Sequence, residues 1–270
     1  MMGKILALWG RFFAHARFAK LNGLLFQLGA RGLGIHNYPV SGEEWLVDRL
    51  ATIASGVNRF VIFDVGANRG AYAALLRRSF PNAVIHSFEP HPRTFETLKA
   101  GTAGLNLNLH NFGFSHQAEE LDLHDYASPT DSEHASLYSG VFQSLTQMPY
   151  VSVRVALKTI DQFCAEANIA HIDFLKIDIE GHEIHCLRGA KDMIAAGQIG
   201  VVQFEFNKMN VCSRTFMADF FEVLKGFQLY RLLPTSLLPL RESDILKTNL
   251  FEYQNVVAIR QGVSFAHFAQ

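Results

Sequence analysis

Phe60-Val61-Ile62-Phe63-Asp64-Val65-Gly66-Ala67-Asn68-Arg69-Gly70 is an apolar run that ends in a carboxylate and a turn containing two glycines. Short apolar runs bounded by turn residues read as buried strands, and a glycine turn directly after such a strand is where open α/β sheets receive ligands. Ala71 to Arg78 has helical composition and stops at Ser79-Phe80-Pro81. Val84 to Phe88 repeats the strand pattern and ends at Glu89-Pro90, with a helix expected over Thr94 to Ala100. Strands alternating with helices imply a parallel sheet with right-handed crossovers.

A third strand is expected over Leu107 to Phe112, after which the alternation changes. Glu120 to Tyr126 and Val151 to Val155 alternate as half-exposed strands, and the Ser- and Thr-rich segment between them, Ala127 to Pro149, has the length of a lid or substrate loop. Helices are expected over Lys158 to Ala167, His182 to Ala196 and Phe216 to Lys225. Ile172 to Ile177 and Val201 to Phe206 read as buried strands, with Phe227 to Leu233 and Val256 to Arg260 as closing edge strands. Ser41-Gly42-Glu43-Glu44 ahead of Trp45 to Leu50 reads as a capped helix. The expected fold is therefore α/β, a mostly parallel central sheet flanked by helices. A helical extension occupies residues 1–55, the main domain residues 56–262, and a β/loop insertion falls around 116–156.

With 270 residues, 49% of them hydrophobic, the chain can bury one large core. A formal charge of −1 and the lack of a basic, aromatic-interleaved stripe argue against a nucleic-acid partner. Cys164, Cys186 and Cys212 lack the spacing of a zinc or redox pair and read as free thiols in a reducing, cytoplasmic setting. Met1 to Gly42 contains no acidic residue, while Lys4, Arg11, Arg17, Lys20 and Arg31 alternate with large apolar side chains. The apolar stretch after Lys4 is cut by Arg11, unlike a secretory leader, and no run approaches the roughly 18 residues of a membrane span. The first expectation for this basic amphipathic segment is a helix packing its apolar face on the domain. The alternative is peripheral contact with the inner face of a membrane.

Two constellations carry chemistry. In the first, Asp64, Gly66, Ala67, Asn68 and Gly70 form the strand-to-helix turn, and Glu89 ends the next strand, where a carboxylate can accept bonds from two ribose hydroxyls. The dinucleotide fingerprint carries a glycine where Asp64 stands. A carboxylate there repels a pyrophosphate and attracts a ligand bearing an ammonium and a sulfonium, which favours S-adenosylmethionine; an NAD-type oxidoreductase is the alternative. The second constellation, Phe174 to Glu183, sets Asp178 at the carboxyl end of a strand facing the same crevice, with Glu180 and Glu183 at the start of a helix as ligand groups or caps. His182 and His185 lack a third ligand, so no metal is expected. If the acceptor is an alcohol, Asp178, Glu180 or His182 could take its proton, His182 having the ordinary pKa nearest neutrality.

These stretches resemble the FkbM family of methyltransferases. The resemblance rests on Phe63 to Gly70, Ser87-Phe88-Glu89-Pro90-His91-Pro92, Leu157-Lys158-Thr159-Ile160-Asp161 and Phe174 to Ala190 with its Lys-Ile-Asp-Ile-Glu-Gly core, spread over roughly residues 60 to 206. It implies a class I, Rossmann-like fold and methyl transfer from S-adenosylmethionine, usually to a hydroxyl of a natural product or a glycan sugar. It also implies that Asp64, Gly66, Asn68 and Gly70, with Ala67 among them, hold the methionine part. Glu89 and Pro90 would then lie at the ribose, and Gly113, Phe114 and Ser115 near the adenine. A small residue often stands in the family where this chain has His182, so the resemblance does not reach a histidine base. A donor-binding but catalytically silent partner subunit is a further reading, and oligomeric state is not legible.

Overall fold

Two helices, Met2–Phe13 (α1) and Ala19–Gly32 (α2), precede Glu43–Ala54 (α3) in the computed structural model, which describes residues 1–35, 41–57, 59–127 and 135–262. The chain continues through Val61–Val65 (β1), Ala71–Ser79 (α4), Val84–Phe88 (β2), Pro92–Gly101 (α5) and Asn108–His110 (β3). Gly113–Phe114 (β4), Glu119–Tyr126 (β5) and Tyr150–Lys158 (β6) form a separate small sheet. Ile160–Ala167 (α6), Ile172–Ile177 (β7), Glu183–Arg188 (α7), Lys191–Ala195 (α8) and Ile199–Phe206 (β8) return to the main one. Met209–Ser213 (α9), Met217–Val223 (α10), Phe227–Leu232 (β9), Leu237–Pro239 (β10), Ile245–Thr248 (α11) and Gln254–Arg260 (β11) follow.

The main sheet has eight strands in the order β10-β9-β11-β8-β7-β1-β2-β3, and the pairs from β8 to β3 are all parallel. Every residue of β1 is buried. Its alternate side chains feed two cores: Val61, Phe63 and Val65 join one with Leu175 and Ile177, while Ile62, with Phe60 just ahead of the strand, joins the other with Phe174 and Val201. Covering by helices on both faces is why these strands read as continuous apolar runs rather than alternating ones.

Several expectations change in detail. β11 is not an edge strand: it is inserted antiparallel between β8 and β9, and the three-residue β10 forms that edge. The helix expected over His182 to Ala196 breaks into α7 and α8 at Gly189, where a Cβ would lie 2.1 Å from the Ser115 carbonyl oxygen. The third strand is shorter than expected because the chain leaves β3 to start the small sheet at Gly113. In that sheet β5 and β6 pair antiparallel from Glu119↔Leu157 to Tyr126↔Tyr150, the expected β/loop insertion. Residues 128–134 of the expected lid lie outside the described residues, and the rest is structured. Ser136 bridges to His124, and a π-helical turn at Val141–Thr146 buries Val141 and Phe142 beside Tyr126 and Met209.

The helix after Ser41 is present, but its N-cap is Gly42 at φ +82°, and the Ser41 hydroxyl bonds the Glu43 carboxylate instead. Leu46, Val47 and Leu50 of α3 are fully buried among strand residues, so α3 belongs to the domain rather than to the extension. The expectation that the first helices pack an apolar face on the domain is not met: neither α1 nor α2 has a buried residue. Among the described residues, no helix is long and apolar enough to cross a membrane.

Gly189→Ala tests the α7–α8 break. Its φ of −76° suits alanine, so the Cβ contact with the Ser115 carbonyl alone decides the outcome. Urea unfolding should show a loss of about 1–3 kcal/mol, typical of overpacking; an unchanged midpoint contradicts that contact.

Candidate functional site

From β1 the chain steps outward to β2 and β3, then returns to β7 on the other side of β1. Such a reversal of strand order opens a crevice at the carboxyl ends of the strands. A cavity of about 640 Å³ lies there, lined on one side by Gly66, Asn68, Glu89, Pro90, Gly113 and Phe114 and on another by Asp178, Glu180, His182 and Glu205.

The turn after β1 is fixed by backbone contacts. Gly66 has φ +82°, and a Cβ there would lie 1.8 Å from the Asp178 carbonyl oxygen, so only glycine lets the turn sit against the end of β7. The Gly66 and Ala67 N–H groups both donate to the Phe88 carbonyl, 3.0 Å each, tying the turn to the end of β2. Asn68, at φ +48°, donates its N–H to Glu89 Oε2 at 3.0 Å, and the His91 N–H donates to Glu89 Oε1 at 2.9 Å. Burial outweighs those two backbone bonds, which favour the ionised form, and raises the Glu89 carboxyl to about 7. Asn68 Oδ1 is buried with no hydrogen-bond partner.

Four expected site residues do not line the cavity. Ala67 is buried with its N–H committed to Phe88. Gly70 starts α4 at φ +89°, and a Cβ there would meet Thr102 Cγ2 at 2.4 Å, so it permits close packing of α4 on the end of α5. Ser115 is fully buried, its hydroxyl donating to Glu119 Oε1 at 3.0 Å and lying 3.1 Å from His182 Nε2. Asp64 is fully buried within β1, directly opposite Lys176 of β7. Lys176 Nζ lies 3.6 Å from Asp64 Oδ1, 3.2 Å from Asp178 Oδ2 and 4.9 Å from the centre of the Tyr72 ring. Burial works against the Lys176 ammonium, but Asp178 and Asp64 outweigh it and raise its pKa.

His182 lines the cavity, yet a role as base does not fit it. Its Nδ1 lies 3.0 Å from the Tyr138 hydroxyl and its Nε2 contacts Ser115, so both ring nitrogens are engaged. Burial, with His185 and His116 nearby, pushes its pKa down to about 3. Glu183 takes the capping role: its Oε1 accepts from the Ile179 and Gly181 N–H groups at 3.1 and 3.0 Å. Glu180 sits at φ +53°, and its carbonyl accepts a bond from the Ser136 hydroxyl at 2.9 Å.

Sequence reasoning missed Glu205. The pairing Ile177↔Phe204 puts the next residues, Asp178 and Glu205, side by side at the ends of β7 and β8. Burial first, then the charges of Asp178 and Glu180 and a hydrogen bond to Asp178, push the Glu205 carboxyl well above its ordinary range. The signal is present in the sequence, since Glu205, like Glu89 and Asp178, stands at the end of an apolar strand. Glu43, Tyr253 and Asn255 also line the cavity and were missed. Gln203 carries α3 and β11 to this wall by donating to Glu43 Oε1 at 2.9 Å and Asn255 Oδ1 at 3.0 Å.

Comparison with known proteins decides the family. A profile described as "Methyltransferase FkbM domain" matches residues 64–228, more than half of the chain. The chain belongs to the FkbM methyltransferase family. The family's methyl donor is S-adenosylmethionine, which sets aside the dinucleotide alternative. Among FkbM-type relatives, "Methyltransferase 1" of Beauveria bassiana is 28% identical over 56% of this chain and 66% of its own length. The "2-O-methyltransferase NoeI" of Sinorhizobium fredii is 23% identical over 70% of this chain and 79% of its own. The chain thus spans just under two thirds of the first relative. Among solved structures, the plantazolicin methyltransferase BpumL in complex with SAH is similar at a TM-score of 0.44 and 8% identity, over 94% of each chain. The α/β architecture with its mostly parallel sheet is that of a class I methyltransferase.

Lys176→Met should cost about 3–5 kcal/mol in urea unfolding, because it leaves the Asp64 carboxylate buried without its partner. The double variant Asp64→Asn with Lys176→Met should recover more than half of that loss. Equal stability of the single and double variants contradicts the pairing.

Proposed function

We propose that this chain is an S-adenosylmethionine-dependent O-methyltransferase acting on a hydroxyl of a glycan or another polyhydroxylated small molecule. The observation that carries this reading is the Glu89 carboxylate. Two backbone N–H groups hold it in the cavity wall beside the unpartnered Asn68 Oδ1, and the Asp178–Glu205 pair lines the same cavity.

The residues fit the donor. Each Glu89 oxygen accepts only one bond from the protein's backbone and keeps capacity for a ribose hydroxyl. Asn68 Oδ1 is an acceptor for the donor's ammonium, and Gly113 and Phe114 flank the adenine. Asp64, Ala67, Gly70 and Ser115 act as positioning residues, fixing the turn, the helix packing and the His182 ring. S-adenosylmethionine supplies, when bound, a methyl group on a positively charged sulfur, so the protein's task is mainly to align the acceptor oxygen. That oxygen loses its proton as it gains the methyl carbon, and the carbon–sulfur bond pair stays on sulfur. The hydrogen-bonded Asp178–Glu205 pair is the proton acceptor in this reading: burial and acidic neighbours favour one proton shared between the two carboxyls, and the ionised member of the pair takes the proton of the acceptor oxygen. The relative named a 2-O-methyltransferase supports oxygen as the acceptor atom.

Two measurements test the reading. Glu89 must be ionised to accept from ribose, and its pKa is raised to about 7, so affinity for S-adenosylhomocysteine should fall below pH 7 and level off above it. The slope should approach tenfold per pH unit, and Glu89→Gln should weaken binding and flatten the slope; a wild-type slope retained in that variant contradicts the assignment. Purified protein given methyl-labelled donor and fractionated glycans should label a glycan or polyol fraction. Glu205→Gln should then lower kcat by about 10²–10⁴-fold with donor affinity unchanged. Donor binding with no labelled fraction favours the silent-subunit reading instead.

A further inference from the structure

Each of the first two helices carries an apolar stripe that no described residue buries. Ile5, Leu8, Trp9 and Phe12 on α1, and Leu21, Leu24, Leu25 and Leu28 on α2, follow the i, i+3, i+4, i+7 spacing of one helix face and are 39–59% exposed. The pair is nevertheless built as a unit. Trp9 Nε1 donates to Asn22 Oδ1 at 3.2 Å, Asn22 Nδ2 donates to the Phe13 carbonyl at 2.9 Å, and Trp9 stacks on Phe13 at 4.2 Å. The end of α2 is fixed to the domain, where Leu33 accepts a bond from Arg231, Gly34 turns at φ +78° and Ile35 is buried.

The charge on this hairpin selects its occupant. Lys4, Arg11, Arg17, Lys20 and Arg31 lie among the apolar side chains, and residues 1–42 contain no Asp or Glu. A second copy of the chain would bring like charges face to face, which disfavours pairing. At 12 and 14 residues the helices are shorter than the roughly 20 needed to span a bilayer. Apolar stripes flanked by cations alone suit a helix lying in the plane of an anionic lipid interface. We propose that the α1–α2 hairpin docks the protein on the surface of an anionic lipid bilayer, its apolar stripes in the acyl boundary and its cations among the headgroups. The proposal does not depend on the methyl acceptor.

Co-sedimentation of the full chain with phosphatidylcholine vesicles, with and without phosphatidylglycerol, tests it. Binding should require phosphatidylglycerol and fall with added salt, which shortens the range of the attraction. Lys4→Gln with Arg11→Gln should weaken partitioning about 25-fold, at about fivefold for each cation near the surface. Ile5→Ser with Leu8→Ser should weaken it as well, with the urea midpoint unchanged because neither side chain is buried. Equal recovery in the supernatant with and without anionic vesicles overturns the proposal. So does a concentration-dependent dimer that ignores vesicles and that the serine substitutions dissolve, since that makes a second copy the occupant.

Discussion

The ammonium of Lys176, buried where β1 and β7 run side by side, lies between the carboxylates of Asp64 and Asp178, and much of the site depends on it. Asp64 is wholly removed from water in the middle of the sheet, where an unpaired carboxylate is strongly destabilising. Pairing across one register position lets a charge sit in β1 without reaching the cavity. The same ammonium holds the Asp178 side chain, and the Asp178 backbone N–H donates to the Val65 carbonyl, so the ends of β1 and β7 meet at a fixed distance. Gly66 packs into that junction because nothing larger fits against the Asp178 carbonyl.

Around this junction the cavity holds carboxylates in different electrostatic settings. Glu89 meets two backbone N–H groups that favour its ionised form, while Glu205 meets Asp178 and Glu180, which disfavour it. Carboxyl groups whose surroundings differ in this way can divide their work, one accepting bonds from a bound nucleoside and the other taking a proton. His182, at first sight the residue best suited to neutral pH, is removed from that role by its surroundings: Tyr138 and Ser115 occupy its nitrogens and burial disfavours its cation.

The parallel half of the fold was legible because its strands are buried on both faces and therefore appear as unbroken apolar runs ending in turn residues. Val84–Phe88 and Ile172–Ile177 agree with the structure residue for residue. The C-terminal order was not legible: nothing local in Val256 to Arg260 says that it enters between β8 and β9 rather than at an edge. The break at Gly189 depends on the remote Ser115 carbonyl, which no helical periodicity can report. In the site, Gly66, Asn68 and Glu89 reach the cavity from positions that the strand-end rule marks. Asp64 does not, because the same rule cannot tell a charge facing a ligand from one facing a buried lysine on the next strand. Glu43 and Tyr253 come to the wall through long-range packing of α3 and β11, and Glu205 was overlooked at the end of a strand that had been read correctly.

The hairpin and the cavity make separate demands on the sequence. Residues 1–35 keep most of their large apolar groups exposed beside cations, while the domain buries most of its own and gathers carboxylates at one sheet edge. We propose that this edge holds the methyl donor with Glu89 at its ribose. A crystal structure of the protein with S-adenosylhomocysteine tests it most directly. Both ribose hydroxyls should bond the Glu89 carboxylate, the adenine should lie against Phe114, and the sulfur should face Asp178 and Glu205. A ligand bound in this cavity with its ribose away from Glu89, or bound elsewhere on the protein, contradicts this placement of the donor.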